Sequence, residues 1–305
     1  RAVLDRADDA VSPTVRARAV FVLGDLLGWH FEWAAAKDLA EQALEMARAL
    51  DDPQLVAQAL GLLSGATFVQ GDPDGALGLA AEAVEVARSV ADDFTLAEAL
   101  FYLASATQVT DEDRSRQLYE ECLASCRQAG DVLYACLVLG QLALPELRRG
   151  ETQAAARHLD EAVTKAEQIG AVWLLTVQSA NLGGALLSQG EVTAAATVFR
   201  TSLITARRCG LRDVAGCALT GLACCTTRTA ELDRAVQLHG AGDAILERTE
   251  HGNDMLYLAE QIYADDKDRL RGTIGNDAFE RAYRSGAELT FEQALDTALG
   301  RYRHA

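Results

Sequence analysis

Proline is scarce in this 305-residue chain, with four in the whole sequence, and no segment is of low complexity. A chain with few helix-breaking residues and no biased tract contains little disorder. No apolar run approaches the roughly 20 residues that a membrane-spanning helix requires, and the first residues do not form a signal peptide. We therefore expect a soluble, cytoplasmic protein.

Motifs that mark common catalytic sites are also absent. The sequence has no G-x-x-x-x-G-K-[ST] loop for nucleotide phosphates, no H-E-x-x-H zinc motif and no G-x-S-x-G nucleophile elbow. None of the five histidines has another histidine three or four residues away, so we expect no metal site built on one helix. These absences predict that the protein is not an enzyme, with no catalytic residue, no metal and no cofactor.

Basic residues are outnumbered, with 28 lysines and arginines against 45 aspartates and glutamates and a net charge of −17. A field of this sign repels phosphate backbones, so we expect no direct contact with nucleic acid. Two interpretations of the acidic balance stay open. One is solubility combined with acidic helix starts. The other is a field that attracts a basic peptide or protein partner.

A forty-residue period runs through most of the chain. It is clearest at small residues separated by 40, 39, 40, 40 and 40 positions, namely Ala36, Ala76, Ser115, Ala155, Ala195 and Ala235. Small or apolar residues follow these anchors at offsets of 4, 7, 8 and 11, which lie on one face of an α-helix. A second apolar segment with helical spacing precedes each of these helices, after a short polar break. Each repeat is therefore predicted to be a helical hairpin, with a first helix A and a second helix B.

The predicted fold class is all-α, a right-handed superhelical solenoid of antiparallel, tetratricopeptide-like helix pairs with a C-terminal helical cap. Residues 14–250 are expected to form about six helix pairs, after an N-terminal lead-in at 1–13. Residues 251–305 depart from the period and are expected to form three capping helices, near 255–272, 276–285 and 290–300. Pro145 falls inside the fourth A helix, where it predicts a kink or an early helix end near residues 141–144.

Cysteine and histidine residues on the B-helix stripe raise the question of a metal. Cys122 and Cys126 are four residues apart, but alanine occupies these stripe positions in other repeats, so core packing is favoured over a metal site. The seven cysteines are an odd number without paired spacing, which argues against a disulfide framework. His239 takes the place of a small or apolar stripe residue, which favours a core or capping role over a ligand role.

The A helices carry the residues that we expect on the concave inner surface of the solenoid. Offsets of two and five residues from the apolar anchors place Asp25 and Glu98 there. The same rule gives the five side chains that we assign to ligand contact, which are Gln58, Phe101, Gln108, Tyr134 and Gln141. Aromatic and amide side chains suit a peptide or small ligand because they offer contact area with paired donors and acceptors. The alternative for each aromatic residue is a place in the core between repeats.

Helix pairs with these anchors resemble tetratricopeptide repeats, although the unit of about 40 residues is longer than the usual 34. Longer units of this kind are similar to maltose-activator-type repeats, which form sensor arrays in signal-transduction ATPases of the LuxR regulator family. The segments LHGAGDAILE at 238–247, AFERAYRSG at 278–286 and LTFEQA at 289–294 are similar to the end of the array in such regulators, some of which carry a nucleotide-cyclase domain in front.

The resemblance implies an ATPase module before the array and a helix-turn-helix domain after it. This sequence contains no ATPase motif, so no ATP-binding or DNA-binding residue carries over. Because the chain begins at Arg1, we expect it to be the sensor or interaction segment of a longer parent.

The expected function is that of a non-catalytic ligand- or protein-binding module of a larger transcriptional regulator. Its groove would take a peptide, a small-molecule inducer or a protein partner, and binding would shift the curvature of the array or its packing on neighbouring domains. The alternative is a pure scaffold or dimerisation module with no small ligand, and a homo-oligomer is compatible with both. An enzyme would require a buried polar cluster that the periodicity hides.

Overall fold

The computed structural model describes residues 12–30, 32–249 and 259–300, and every regular element in these ranges is an α-helix. The helices of the repeats are α1 (Pro13–Trp29), α2 (Trp33–Ala49), α3 (Pro53–Val69), α4 (Pro73–Val90), α5 (Asp93–Thr107), α6 (Glu112–Ala129), α7 (Val132–Arg148), α8 (Thr152–Ile169), α9 (Val172–Ser188), α10 (Val192–Cys209), α11 (Arg212–Thr227) and α12 (Leu232–Leu246). They are followed by α13 (Ala259–Ile274), α14 (Asn276–Ala287) and α15 (Phe291–Ala298).

Helices α1–α12 form six consecutive pairs, in which the odd-numbered helix is A and the even-numbered helix is B. The all-α, tetratricopeptide-like helical solenoid class predicted from the period is confirmed. The anchors are buried as expected, with Ala36, Ala76, Ala155, Ala195 and Ala235 fully enclosed and Ser115 exposed by 2%. Small side chains at these positions let neighbouring helices approach closely, which is the reason the sequence repeats them.

The polar breaks between helices act as caps. The carboxylates of four aspartates accept a hydrogen bond from the backbone N–H three residues later, at the starts of α3, α4, α5 and α6, and these are Asp52, Asp72, Asp92 and Asp111. Each satisfies an amide that the first turn of a helix leaves without a partner. At the other end, α6, α8 and α10 finish in a left-handed glycine, at Gly130, Gly170 and Gly210. Ala91 adopts the same conformation after α4, with φ of 55°.

Pro145 lies inside α7, which continues through it to Arg148. Of the two alternatives predicted near residues 141–144, a kink or an early helix end, the early end is therefore wrong. The proline removes a single amide donor close to the end of the helix, where few intrahelical bonds remain to be lost. The chain leaves the helix after Arg148, and Gly150 has a positive φ of 75°.

The chain divides into two compact units, residues 1–138 and 139–305. In the first unit, α3 packs directly on both α1 and α5, so consecutive A helices contact each other. Consecutive B helices are bridged by long side chains, with Arg48 of α2 paired to Glu82 of α4 at 2.7 Å and Arg88 of α4 paired to Glu121 of α6 at 2.9 Å. Because the A helices lie closer together than the B helices, this unit curves toward its A helices. We call the surface that they form the A face.

The described part of the second unit also contains α13, α14 and α15, which follow the repeats, while residues 251–258 and 301–305 of the predicted cap lie outside the described residues. Helices α12 and α14 cross at two glycines, where an added Cβ would lie 2.1 Å from the Tyr283 carbonyl oxygen at Gly240 and 2.0 Å from the Gln237 carbonyl oxygen at Gly286. The Asp243 carboxylate accepts hydrogen bonds from the Tyr283 hydroxyl at 2.6 Å and from Lys267 Nζ at 2.9 Å. The glycines and Asp243 in segments 238–247 and 278–286 thus serve the contact between these two segments.

No helix in the described ranges combines the length and apolar character that would let it cross a membrane.

Candidate functional site

The A face of the first unit carries a cluster of polar and aromatic side chains from four A helices. Asp25 comes from α1, Gln58 from α3, Glu98 and Tyr102 from α5, and Tyr134 from the first turn of α7. Gln58 and Glu98 are 40 residues apart and occupy equivalent positions in successive repeats. We call these five residues the A-face cluster.

Glu98 lies at the centre of the A-face cluster. Gln58 Nε2 donates a hydrogen bond to Glu98 Oε2 at 2.7 Å, and the Tyr134 hydroxyl is also hydrogen-bonded to this carboxylate. Burial raises the pKa of Glu98 to about 7, and the negative charges of Asp25 and Asp131 add to the rise, whereas the two hydrogen bonds oppose it. Glu98 is half-buried, so solvent still reaches its side chain.

Two neighbours share this environment. Burial raises the pKa of Asp25, and a hydrogen bond from the Trp29 side chain opposes the shift. Burial, followed by the charges of Asp25 and Glu98, raises the pKa of Tyr102 well above its usual value. The charge of Asp25 thus makes ionisation of Glu98 less favourable, and the charges of both carboxylates make ionisation of the Tyr102 phenol less favourable.

Aromatic rings form the walls of the cluster. The Phe101 ring makes edge contacts with the rings of Tyr102, Tyr119 and Tyr134, at centroid distances of 5.8, 6.0 and 5.5 Å. Such edge-to-face pairs add to the energy of simple burial.

The Tyr102 ring lies on a flat strip of α3 made by two glycines four residues apart. A Cβ at Gly61 or Gly65 would come within 2.7 or 2.8 Å of that ring. Our sequence prediction missed Tyr102 because the offset rule did not include its position. The signal that could have found it is the glycine pair, since residues four apart share one face of a helix and together leave room for a large side chain.

The five predicted contact residues do not all meet. Gln58, Phe101 and Tyr134 come together in or beside the A-face cluster, with Gln58 and Phe101 half-buried and Tyr134 exposed by 6%. Gln108 is the C-cap of α5, ten residues beyond Glu98, and so lies at the far end of that helix. Gln141 is half-buried and belongs to the second unit.

The cluster has the chemistry of a cation site. Carboxylates form strong charge-assisted hydrogen bonds with ammonium and guanidinium groups, and aromatic rings attract the same groups through their faces. A carboxyl group with a pKa near 7 is also suited to acid–base chemistry. Among the described residues, the side chains that could hold a metal ion together lie elsewhere, at Cys224, His239 and Asp266 in the second unit.

Repeated helix pairs and a curved face of A helices define the class of this chain as a tetratricopeptide-like helical repeat protein. The sequence matches no protein-family model and none of the curated proteins.

Solved structures of repeat proteins resemble the fold. A signal transduction ATPase with numerous domains and a tetratricopeptide repeat sensor, from Pyrococcus horikoshii, has a TM-score of 0.65 and 15% identity over 93% of this chain and 44% of that one. The apo form of RapI has a TM-score of 0.58 and 13% identity over 92% and 98% of the two chains. A Rap protein complexed with competence and sporulation factor has a TM-score of 0.52 and 15% identity over 93% and 98%. At such identities, the likeness establishes the fold.

Proposed function

We propose that this chain is a non-catalytic sensor module whose A face binds a cationic group of a peptide or protein partner. One observation carries the proposal: Glu98 is held half-buried among aromatic rings, and the charges that act on it, those of Asp25 and Asp131, are also negative. A bound ammonium or guanidinium group would satisfy these carboxylates together.

The free-energy cost of ionising Glu98 without a ligand favours the binding of a cation. A shift from 4.5 to about 7 makes ionisation of Glu98 harder by about 3 kcal/mol, which is an upper limit because solvent reaches the side chain. A cation at the cluster favours the ionised carboxylate and recovers part of this energy. The ionised form of Glu98 is unfavourable without ligand and becomes favourable when a cation binds. Binding should therefore release a proton from Glu98 near neutral pH.

The net charge of the chain supports the same ligand class. At −17, the long-range field attracts basic partners and raises their rate of encounter. This is the second of the two interpretations left open by the composition.

We further propose that the module belongs to a LuxR-type regulator with flanking ATPase and DNA-binding domains, in which a peptide or other inducer sets the state of the array. The fold similarity to a tetratricopeptide repeat sensor and to a Rap protein bound to competence and sporulation factor supports a sensing role. The end-of-array segments at 238–247 and 278–286, which pack on each other, support the kinship with such regulators.

The test is a binding screen with matched peptides. Short peptides with one lysine, one arginine or a free amino terminus are compared with acetyl-lysine, citrulline and N-acetylated versions by calorimetry. We expect only the cationic forms to bind, and we expect Glu98→Gln to weaken them by about tenfold or more, as for the loss of a hydrogen bond between charged groups. Glu82→Gln, which removes the same charge from an exposed site on the B helices, should change affinity less than about twofold.

Equal binding by the charged and neutral peptides, or by wild type and Glu98→Gln, would refute the cation site. If no peptide binds while light scattering shows self-association, the scaffold alternative replaces the proposal.

A further inference from the structure

Three side chains with metal-ligand chemistry meet where the last repeat joins the C-terminal helices. Cys224 of α11, His239 of α12 and Asp266 of α13 each place a ligand atom within 4.8 Å of the other two. Cys224 and His239 are fully enclosed, and Asp266 is exposed by 7%. This cluster is independent of the A face, since all three residues belong to the second unit.

Neighbouring groups hold two of the three side chains, His239 and Asp266, in place. His239 Nε2 lies 3.0 Å from Asp266 Oδ2, and the Thr227 hydroxyl donates a hydrogen bond to the same oxygen at 2.7 Å. The ring of Tyr263 contacts the His239 ring edge-on, with the centroids 6.5 Å apart. A hydrogen bond that orients a carboxylate, as the Thr227 hydroxyl does for Asp266, is typical of supported metal ligands. The Tyr263 ring packs against the imidazole and restricts its rotation.

The other nitrogen of the imidazole, His239 Nδ1, is buried and has no hydrogen-bond partner. A buried polar atom left without a partner carries an energetic cost that usually has a structural or functional reason. A metal ion shared with Asp266 would bind Nε2, the nitrogen that faces the carboxylate, and would give this buried imidazole a structural role without supplying a partner for Nδ1.

We propose that Cys224, His239 and Asp266 form a site for Zn²⁺. A thiolate, an imidazole and a carboxylate are the three ligand types that this ion accepts, and it binds four ligands in a tetrahedron. One thiolate and one carboxylate balance the two positive charges, so the bound site is neutral in its buried surroundings. Ligand atoms around Zn²⁺ lie about 3.3–3.6 Å apart at the usual bond lengths. His239 Nε2 and Asp266 Oδ2, now 3.0 Å apart, must therefore separate slightly, while Cys224 Sγ, within 4.8 Å of both, approaches them.

A neighbouring cavity reaches one of the three ligands, Asp266. Asp266 also lines a cavity of about 350 Å³ together with Ser188, Arg228, Asp265 and Arg269. This volume exceeds what one water molecule needs, so water can complete the coordination as the fourth ligand. A buried metal site also requires an entry path, and the side of the site at Asp266, which lines the cavity, is the candidate for it.

The ion would join the last repeat to the first helix of the cap, because its ligands come from α11, α12 and α13. A structural zinc site adds its binding energy to the stability of the folded state. We therefore expect the metal to stabilise the end of the array.

The experiment is metal titration of the full chain without a polyhistidine tag, after removal of metals with a chelator. We expect one Zn²⁺ per chain and a thermal unfolding midpoint that rises by several degrees with Zn²⁺ and not with Mg²⁺ or Ca²⁺. Titration with Co²⁺ should give a thiolate charge-transfer band and the visible bands of a tetrahedral ion. The absence of saturable binding at one ion per chain would overturn the proposal.

Two adjacent cysteines provide the matched variants. Cys224→Ser should abolish the thiolate band and the zinc-dependent rise in midpoint. Cys225→Ser changes the next residue of the same helix, which is also buried, and should retain both. The two substitutions are nearly isosteric, and circular dichroism confirms that both variants are helical. A thiolate band that persists in Cys224→Ser would place the metal on another cysteine and overturn the assignment.

Discussion

Gln58 Nε2 donates a hydrogen bond of 2.7 Å to Oε2 of Glu98, which lies 40 residues later in the sequence. The two residues occupy the same position in successive repeats, so the period of the sequence determines that they meet. The repeat thus forms a surface as well as a core, because identical registers on neighbouring A helices bring side chains on the exposed edge of each helix into contact.

The stability of the protein should depend on pH through Glu98. Its pKa in the folded state is about 7, above the ordinary 4.5, so the folded state retains this proton at pH values where the unfolded state has lost it. The free energy of unfolding therefore falls as pH rises from about 4.5 to about 7 and changes little beyond, by up to about 3 kcal/mol before discounting for solvent.

Replacing Glu98 with glutamine should remove this contribution. We expect the unfolding free energy of Glu98→Gln, relative to that of the wild type, to increase as the pH is raised from 5 to 8. Urea unfolding of both proteins at each pH measures this difference. Glu82→Gln, at an exposed ion pair, should keep the wild-type pH profile. Parallel profiles for the wild type and Glu98→Gln would contradict the raised pKa.

Much of the A face could be predicted from the sequence, and the reason is the repeat register. Gln58, Phe101 and Tyr134 were found by counting from an apolar anchor, since every A helix packs in the same way. The count does not give burial, so it could not show that Tyr134 is nearly enclosed or that partial burial raises the pKa of Glu98. The count also could not show that Gln108, which it assigned to ligand contact, is the C-cap of α5, because helix ends do not follow the period.

The proposed zinc cluster was beyond prediction from sequence. Its three residues lie on three helices, and Asp266 belongs to α13, which has no equivalent in the repeats. Spacing rules identify ligands that share a helix or a loop. They do not identify ligands that only the packing of non-repeating helices brings together. The prediction of a core position for His239 agrees with its full burial, and the metal-ligand role is the addition that we propose.

The two glycines of α3 that lie against the Tyr102 ring, Gly61 and Gly65, should not tolerate an added side chain. Gly65→Ala places a Cβ 2.8 Å from the ring, so the ring must move away from α3. Alanine favours the helix by about 1 kcal/mol over glycine, but overpacking costs about 1–3 kcal/mol, and we expect net destabilisation together with weaker cation binding. Gly78→Ala in α4 meets no atom within 4 Å and should stabilise the protein instead. If chemical denaturation showed the same increase in unfolding free energy for Gly65→Ala and Gly78→Ala, the close approach of Tyr102 to α3 would be contradicted.

Ala91 is the position where a glycine would improve the repeat. It adopts a left-handed conformation after α4, which Gly130 adopts at the corresponding end of α6. The left-handed conformation costs a residue with a Cβ about 1–2 kcal/mol, of which the greater freedom of unfolded glycine cancels about 0.5–1 kcal/mol. We expect Ala91→Gly to stabilise by about 0.5–1 kcal/mol and Gly130→Ala to destabilise by a similar amount, measured by urea unfolding. If the two substitutions changed the unfolding free energy in the same direction, this explanation of the helix ends would be ruled out.

The contact between α12 and α14 should be the most sensitive point of the C-terminal cap. A Cβ at Gly286 would lie 2.0 Å from the carbonyl oxygen of Gln237 and 2.8 Å from its Cα, and backbone atoms cannot rotate away as a flexible side chain can. Gly286→Ala must therefore separate the two helices and disturb the Tyr283–Asp243 hydrogen bond. We expect a loss of about 2–4 kcal/mol, in the upper range for single substitutions.

Hydrogen exchange separates local from global effects of this substitution. If the cap opens by itself, amides of α14 in Gly286→Ala exchange faster while those of α9 and α10 keep their protection. Gly272→Ala is the matched control, because Gly272 lies on an exposed face of α13 with no atom near the added Cβ. It should leave exchange in α14 unchanged. Wild-type protection of α14 in Gly286→Ala would mean that the two helices do not cross as closely as the glycines require, and the packing of segments 238–247 and 278–286 would then lose its physical basis.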